Sequence, residues 1–270
     1  MVATHLLILL ITPTIAIMRL TSIRALVTRP MEQAEPLAEA IRARQGYAGI
    51  LPMLVIQPLT ETPFMRDTIL SLDQYEKVIV TSHHGAAYGL EKIDNYWPQL
   101  PVRQTWFAIG RKTAKTLSCF DVSPQSPGDS ASSEGLLALE SLNNVSGQRI
   151  LIIKGEGGLT LLEDTLSERG ASVSTLAVYC RQCPDYPEHT LENCLKDDVI
   201  NTILCASGET LSNLMTLAGK TPLKHYDLVV PSERVAELAY NAPFRQIIIA
   251  SGASNDAMLS ALETLELQKK

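Results

Sequence analysis

An α/β fold of two doubly wound parallel-sheet domains with a ligand cleft between them follows from three features of the 270 residues. Short, continuously apolar runs alternate with segments of helical periodicity, the pattern of parallel strands covered on both faces. Two proline-bearing stretches, near 52–58 and 184–187, interrupt the alternation and leave a first domain built from both ends of the chain. Hydrophobic residues make up 46% and charged residues 19%, ample material for two cores.

The elements run in order. Residues 6–17, LLILLITPTIAI, are apolar. Pro13 interrupts a run already short for a membrane span, and the positive flank of a secretory signal is missing. Met18 is the expected functional start, with residues 1–19 an apolar extension outside the fold. RALVT (24–28) is a first strand. Ala34, Leu37, Ala38 and Ile41 put a helix over 31–45 that Gly46 stops. YAGILPMLVIQPL (47–59) carries Pro52 and Pro58 and reads as extended chain passing between domains, not as a central strand. KVIVT (77–81) and TWFAI (105–109) are buried strands that open into Ser82-His83-His84-Gly85 and Gly110-Arg111-Lys112. Glu134 to Leu142 is helical, RILII (149–153) a strand, Leu161 to Arg169 a helix, and Ser172 to Tyr179 extended. NTILCA (201–206), Asp227 to Val230 and Gln246 to Ala250 bring the count to about eight strands.

The strands end alike: Thr28-Arg29, Thr81-Ser82, Gly110-Arg111, Lys154-Gly155, Ser207-Gly208, Ser232-Glu233-Arg234, Ser251-Gly252. In open α/β sheets ligands sit outside these carboxyl ends, where helix N-termini aim N–H groups at anions. Helix capping accounts for any one of the serines and threonines. Their number, with Arg29, Arg111, Lys112, Lys154 and Arg234 beside them, instead points to a cleft for a ligand bearing several carboxylates or phosphates. The net charge of −6 makes that cleft a local basic feature and argues against nucleic acid as a partner.

Other chemistries find little support. A dinucleotide loop starting at Gly155 needs glycine or alanine where Thr160 stands, no Walker ending is present, and Glu156 would repel a phosphate. Gly155, Gly157 and Gly158 are expected to serve a tight strand-to-helix turn. Cys180 and Cys183 form a C-x₂-C without a second pair at zinc spacing, and the five cysteines suit reduced thiols in the cytoplasm. His83 and His84, adjacent in a strand-to-helix turn, are expected to point apart, which argues against a metal site. Ser207 lacks the surroundings of a nucleophile elbow.

Taken in order, LVTRP (26–30), QAEPLAEAI (33–41), AIGRKTAKTL (108–117), SEGLLAL (133–139), GQRILIIKGEGG (147–158), LSERGASVSTLAVYCRQ (166–182), ASGETLSNL (206–214), VVPSERVAELA (229–239) and IIIASGASNDAMLSAL (247–262) resemble the uroporphyrinogen-III synthase family. The resemblance runs from about residue 24 to 263 and is carried by the ordered set rather than by any single motif. It implies two α/β domains, residues 20–53 with 185–265 and residues 59–177, joined by a two-stranded linker over 54–58 and 178–184. It implies an enzyme that cyclises hydroxymethylbilane, inverting its terminal pyrrole and losing water, with no metal or organic cofactor. Tyr179 aligns with the tyrosine of the family that is thought to assist the leaving group. The expected substrate contacts are Thr28, Arg29, Ser82, Arg111, Lys154, Gly155, Ser207, Gly208, Ser232 and Arg234. A monomer that takes its substrate from hydroxymethylbilane synthase is expected. Three departures mark this chain: Leu159 stands where many relatives have the arginine of GGR, Cys180 where an arginine commonly follows the tyrosine, and His83-His84 where other residues are usual. The alternatives are a non-catalytic two-lobed binding module, a degenerate inactive relative, or a nucleotide-dependent α/β enzyme.

Overall fold

A computed structural model describes residues 18–128, 130–219 and 221–269. Of the expected extension over 1–19, residues 1–17 lie outside the described residues. The chain divides into two compact units. The first comprises residues up to Val55 together with those from Cys183 onward, and the second runs from Ile56 to Gln182.

The strands among the described residues are β1 (Arg24–Val27), β2 (Tyr47–Ile50), β3 (Val55–Pro58), β4 (Lys77–Val80), β5 (Thr105–Ala108), β6 (Arg149–Gly155), β7 (Ser172–Gln182), β8 (Thr202–Leu204), β9 (Asp227–Val230) and β10 (Gln246–Ile249). The α-helices are α1 (Met31–Ala43), α2 (Pro63–Leu70), α3 (His83–Asp94), α4 (Arg111–Ser118), α5 (Ser133–Leu137), α6 (Leu161–Glu168), α7 (Thr190–Asp197), α8 (Gly208–Ala218), α9 (Glu233–Glu237) and α10 (Asn255–Gln268).

The first unit holds a five-stranded sheet in the order β10-β9-β8-β1-β2, with every neighbouring pair parallel. The chain builds outward to β2, then returns to build the other way from β8, so the winding reverses between β1 and β8. Side chains alternate between two cores, as the period of a strand dictates. Ala25 and Val27 pack with Leu37 and Ile41 of α1 and Met258 and Leu262 of α10. Leu26 packs on the other face with Leu195 of α7, Leu211 and Leu214 of α8 and Val235 of α9.

The second unit repeats the plan. Its order is β3-β7-β6-β4-β5, parallel from β7 to β5, and the winding reverses between β4 and β6. Val78 and Val80 face Ile69, Leu90, Ile93 and Leu117, whereas Ile79 faces Leu136, Leu162 and Leu166. Both faces of both sheets are therefore covered, and truncating one such fully buried leucine to alanine is expected to cost about 2–5 kcal/mol.

Several elements depart from the sequence expectation. The segment 47–59 is extended and holds no central strand, as expected, but it forms two regular strands. Both lie at sheet edges, with Pro52 between them and Pro58 closing the second, so neither proline removes a ladder bond from a central strand. The helix expected over Glu134 to Leu142 stops at Leu137 and resumes as a 3₁₀ turn at Glu140–Leu142, because Leu139 is extended (φ −66°, ψ 132°). Strand β7 runs to Gln182, beyond the expected Tyr179. Helix α7 went unforeseen because it starts behind His189, whose left-handed backbone (φ 65°) supplies no side-chain cap. Among the described residues no helix is long and apolar enough to cross a membrane.

Candidate active site

The carboxyl ends of β4, β6 and β7 build the chemically open site of the second unit. Residues of β6 and β7 run in register to Lys154 opposite Ala177, and a shift then sets Gly155 opposite Tyr179. A Cβ on Gly155 would lie 2.6 Å from Cζ of Tyr179 and 2.9 Å from its hydroxyl oxygen. The missing side chain is what lets the phenol ring lie against the β6 backbone. Gly157 and Gly158 serve the turn itself, with φ of 70° and 86°, values that side-chain-bearing residues rarely adopt. The expectation that all three glycines serve the turn therefore needs correcting at Gly155, which makes room for a ring.

Ser82 follows β4 and is the N-cap of α3. Its hydroxyl accepts a hydrogen bond from the Gly85 N–H at 2.9 Å and donates one to the Tyr179 hydroxyl at 3.0 Å. Tyr179 is 7% exposed. Its ring centroid lies 5.8 Å from that of His84 and 6.3 Å from that of Tyr88. His83 and His84 do not point apart: their ring centroids are 3.8 Å apart, tilted at 42°. They sit in the first turn of α3, and side-chain rotation there brings neighbouring rings together despite the angle between their Cβ directions.

A cavity of about 300 Å³ opens beside these groups, lined by Ser82, Lys154, Gly155, Tyr179, Ser133 and Arg181, among others, all from the second unit. It stands at the lower end of small-molecule sites, which span roughly 300–1,000 Å³. Lys154 is not a free cation. Its ammonium lies 2.6 Å from Glu163 and donates to the Leu159 carbonyl at 3.3 Å. Arg181 is exposed and stands two residues beyond Tyr179 on β7, so it points to the same side of the strand. It supplies positive charge to the cavity although Cys180 takes the position next to the tyrosine. Leu159 projects into solvent at 83% exposure. Arg111 opens α4 with an exposed side chain and does not line this cavity.

The equivalent reversal point in the first unit, at the ends of β1 and β8, is arranged differently. Thr28 is fully buried, and its hydroxyl donates to the Leu204 carbonyl at 2.7 Å. Arg29, 5% exposed, donates to Asn255 at 2.8 Å and to the Ala253 carbonyl at 2.7 Å. Burial lowers its pKa from the ordinary arginine value. Ser207 and Thr210 form a reciprocal capping box at the start of α8. A Cβ on Gly208, the first residue of that helix, would meet Leu238 at 3.0 Å. Ser232 precedes α9 without a side-chain capping bond, and Arg234 is exposed on that helix. Cys205 sits behind Thr28, where burial pushes its thiol up to about 12, so it stays protonated and unreactive.

The structure thus gathers Ser82, Lys154, Gly155 and Tyr179 around one cavity, and Thr28, Arg29, Ser207 and Gly208 around the reversal point of the other sheet. Ser133 and Arg181 were missed as site residues. The signal for Arg181 was present in the strand period counted from Tyr179. Ser133 opens SEGLLAL, one of the segments that carry the resemblance, but nothing in its own spacing ties it to Tyr179.

Residues 35–260 match the family model described as uroporphyrinogen-III synthase HemD. The chain is 34% identical over 245 residues to uroporphyrinogen-III synthase of Salmonella typhimurium, covering 88% of this chain and 99% of the relative. It is 34% identical over 248 residues to the Escherichia coli protein of the same name, with the same coverage. A uroporphyrinogen III synthase structure from Thermus thermophilus aligns with a TM-score of 0.58 at 17% identity, over 92% of this chain and 100% of that one. One from Helicobacter pylori aligns with a TM-score of 0.53 at 14% identity, over the same shares. These two likenesses bear on the fold.

Proposed function

The chain belongs to the uroporphyrinogen-III synthase family, and from that premise we propose that it acts as a carbon–oxygen lyase, closing hydroxymethylbilane to uroporphyrinogen III. The family match favours this reading over a non-catalytic binding module. The observation that supports the chemistry is the Tyr179 hydroxyl beside the second unit's cavity, accepting from Ser82 and so keeping its own hydrogen to give. That hydrogen would pass to the terminal hydroxyl of the bilane. The carbon–oxygen bond breaks, water leaves, and an electrophilic azafulvenium cation remains beside the phenolate. The substituted carbon of the last pyrrole then attacks it, and the rearrangement through a spiro intermediate inverts that ring. The proton released as the ring system regains its aromatic pyrroles restores the phenol, so the sequence balances as loss of one water.

The cavity is small for four pyrroles, which favours its holding the reacting end of the bilane with its carboxylates. Arg181 supplies the charge for that, while Lys154 shares its own with Glu163. Holding the flexible chain so that the disfavoured carbon attacks is the harder task, and orientation of this kind is worth more than proton transfer. The same reading places the protein in the cytoplasm, as a monomer receiving its substrate from hydroxymethylbilane synthase. Sedimentation velocity alone and in the presence of that synthase tests the last two points.

The deciding experiment incubates the protein with hydroxymethylbilane, oxidises the product and separates the isomers. The reading expects type III. Type I alone, the product of unassisted closure, overturns it.

A further inference from the structure

The bond between Ser82 and Tyr179 joins residues 97 positions apart. Capping explains why Ser82 meets the Gly85 N–H. It does not explain why the same hydroxyl also meets Tyr179. A serine has one hydrogen to donate and two lone pairs, and a tyrosine hydroxyl likewise has a single hydrogen. With one Ser82 lone pair taken by Gly85 and the Ser82 hydrogen given to Tyr179, the Tyr179 oxygen is an acceptor at this contact. Its own hydrogen is left to point elsewhere, and the cavity borders it. The run of donors begins at an N–H in the first turn of a twelve-residue helix, its partly positive end. Each bond in such a run polarises the next. Gly155 completes the constraint, because the ring touches the β6 backbone where a Cβ would be.

We propose that Ser82 is a positioning residue that acts through Tyr179, turning the phenol hydrogen toward the substrate. The proposal rests on the reading of Tyr179 as the donor to the leaving hydroxyl. It differs from the sequence expectation, which made Ser82 a substrate contact.

A double-mutant cycle tests it. Ser82→Gly removes the hydroxyl yet leaves a residue that is tolerated as an N-cap. Type III formation is measured for Ser82→Gly, Tyr179→Phe and the pair, with kcat and KM separated and Tm recorded for each. Ser82→Gly is expected to lower kcat about two- to tenfold, the factor that one hydrogen bond carries, with KM little changed. In the Tyr179→Phe background it should leave kcat unchanged. Ser82→Thr, which keeps a hydroxyl, should restore most of the rate. An equal loss of kcat from Ser82→Gly in both backgrounds would sink the proposal and leave Ser82 a cap only. So would full kcat for Ser82→Gly alone. If Tyr179→Phe itself keeps full kcat, the reading of Tyr179 fails and this inference goes with it. A slowed Tyr179→Phe with additive effects removes only the inference.

Discussion

The two units share one winding plan and the same small hydroxyl residues at their reversal points, but they use them differently. In the first unit Thr28, Arg29 and Ser207 are spent on the fold: on the β8 carbonyl, on the start of α10 and on the cap of α8. In the second unit Ser82 also caps a helix, but its hydroxyl continues to a tyrosine that borders a cavity. The lesson is that a strand-end Thr or Ser beside a helix start marks a topological position, not a chemical role. What distinguishes the second site is a ring admitted by a glycine and a hydroxyl whose hydrogen is not consumed internally.

Several variants sharpen or break this contrast. The largest effect is expected from Gly155→Val, whose side chain would occupy the place of the Tyr179 ring. Displacing a reacting group by about 1 Å can cost around 10²-fold, so kcat for type III should fall at least that far, more than for Tyr179→Phe. A normal kcat would show that the ring position does not matter. Next comes Arg29→Met in the first unit. It removes two charge-assisted bonds, to the part-buried Asn255 and to the Ala253 carbonyl, and hydrogen bonds to a charged group are worth about 1.5–3 kcal/mol. Urea unfolding should report that loss, and an unshifted midpoint would contradict the structural role given to Arg29.

The third effect depends on pH. Asp227, fully buried at the start of β9, is bonded by Arg245 and faces Lys269 at 3.1 Å. Burial pushes its carboxyl up, but the bonds from Arg245 and Lys269 outweigh this and hold it below the usual value. A carboxyl lowered by folding stabilises the protein above its unfolded pKa, about 3.9. That stabilisation is lost as pH falls through the lower folded value. Wild-type stability should therefore drop below about pH 4, and Asp227→Asn should be less stable at neutral pH with a shallower acid slope. An unchanged slope would remove Asp227 from the account. The smallest effect is expected from Glu163→Gln, which frees Lys154. KM for the polycarboxylate substrate should fall by less than about fivefold, the range of a single partly exposed pair, and depend more steeply on salt. A raised KM would mean that the pair holds the site's shape.

The core strands were legible because both faces are covered, so β1, β4, β5 and β6 read as unbroken apolar runs. The edge strand β2 was not, since Pro52 weighs against a strand only where a ladder needs the missing N–H, and β3 was anticipated only through the resemblance, as one strand of the linker over 54–58 and 178–184. Helix α7 begins behind a left-handed histidine and lacks the usual cap, so no start signal marked it. The break at Leu139 left the apolar spacing intact and thus left no trace. In the site, Tyr179 was singled out by family resemblance, not by its own neighbours in sequence. The contacts that give it meaning, to Ser82 and across Gly155, come from strands brought side by side, and local patterns do not record such pairings. The meeting of the His83 and His84 rings depends on rotamers, which sequence spacing does not specify.

The most direct test of the contrast compares Tyr179→Phe with Thr28→Val in one assay of type III formation, with Tm measured alongside. The account predicts that Tyr179→Phe lowers kcat, by about 10²-fold or less, with type III still the product and Tm essentially unchanged. It predicts that Thr28→Val lowers Tm through loss of the buried hydroxyl's bond to the Leu204 carbonyl, which keeps only its bond from the residue-28 N–H, while kcat of the folded protein is kept. Full kcat in Tyr179→Phe together with a slowed Thr28→Val would place the chemistry at the other sheet and contradict the account.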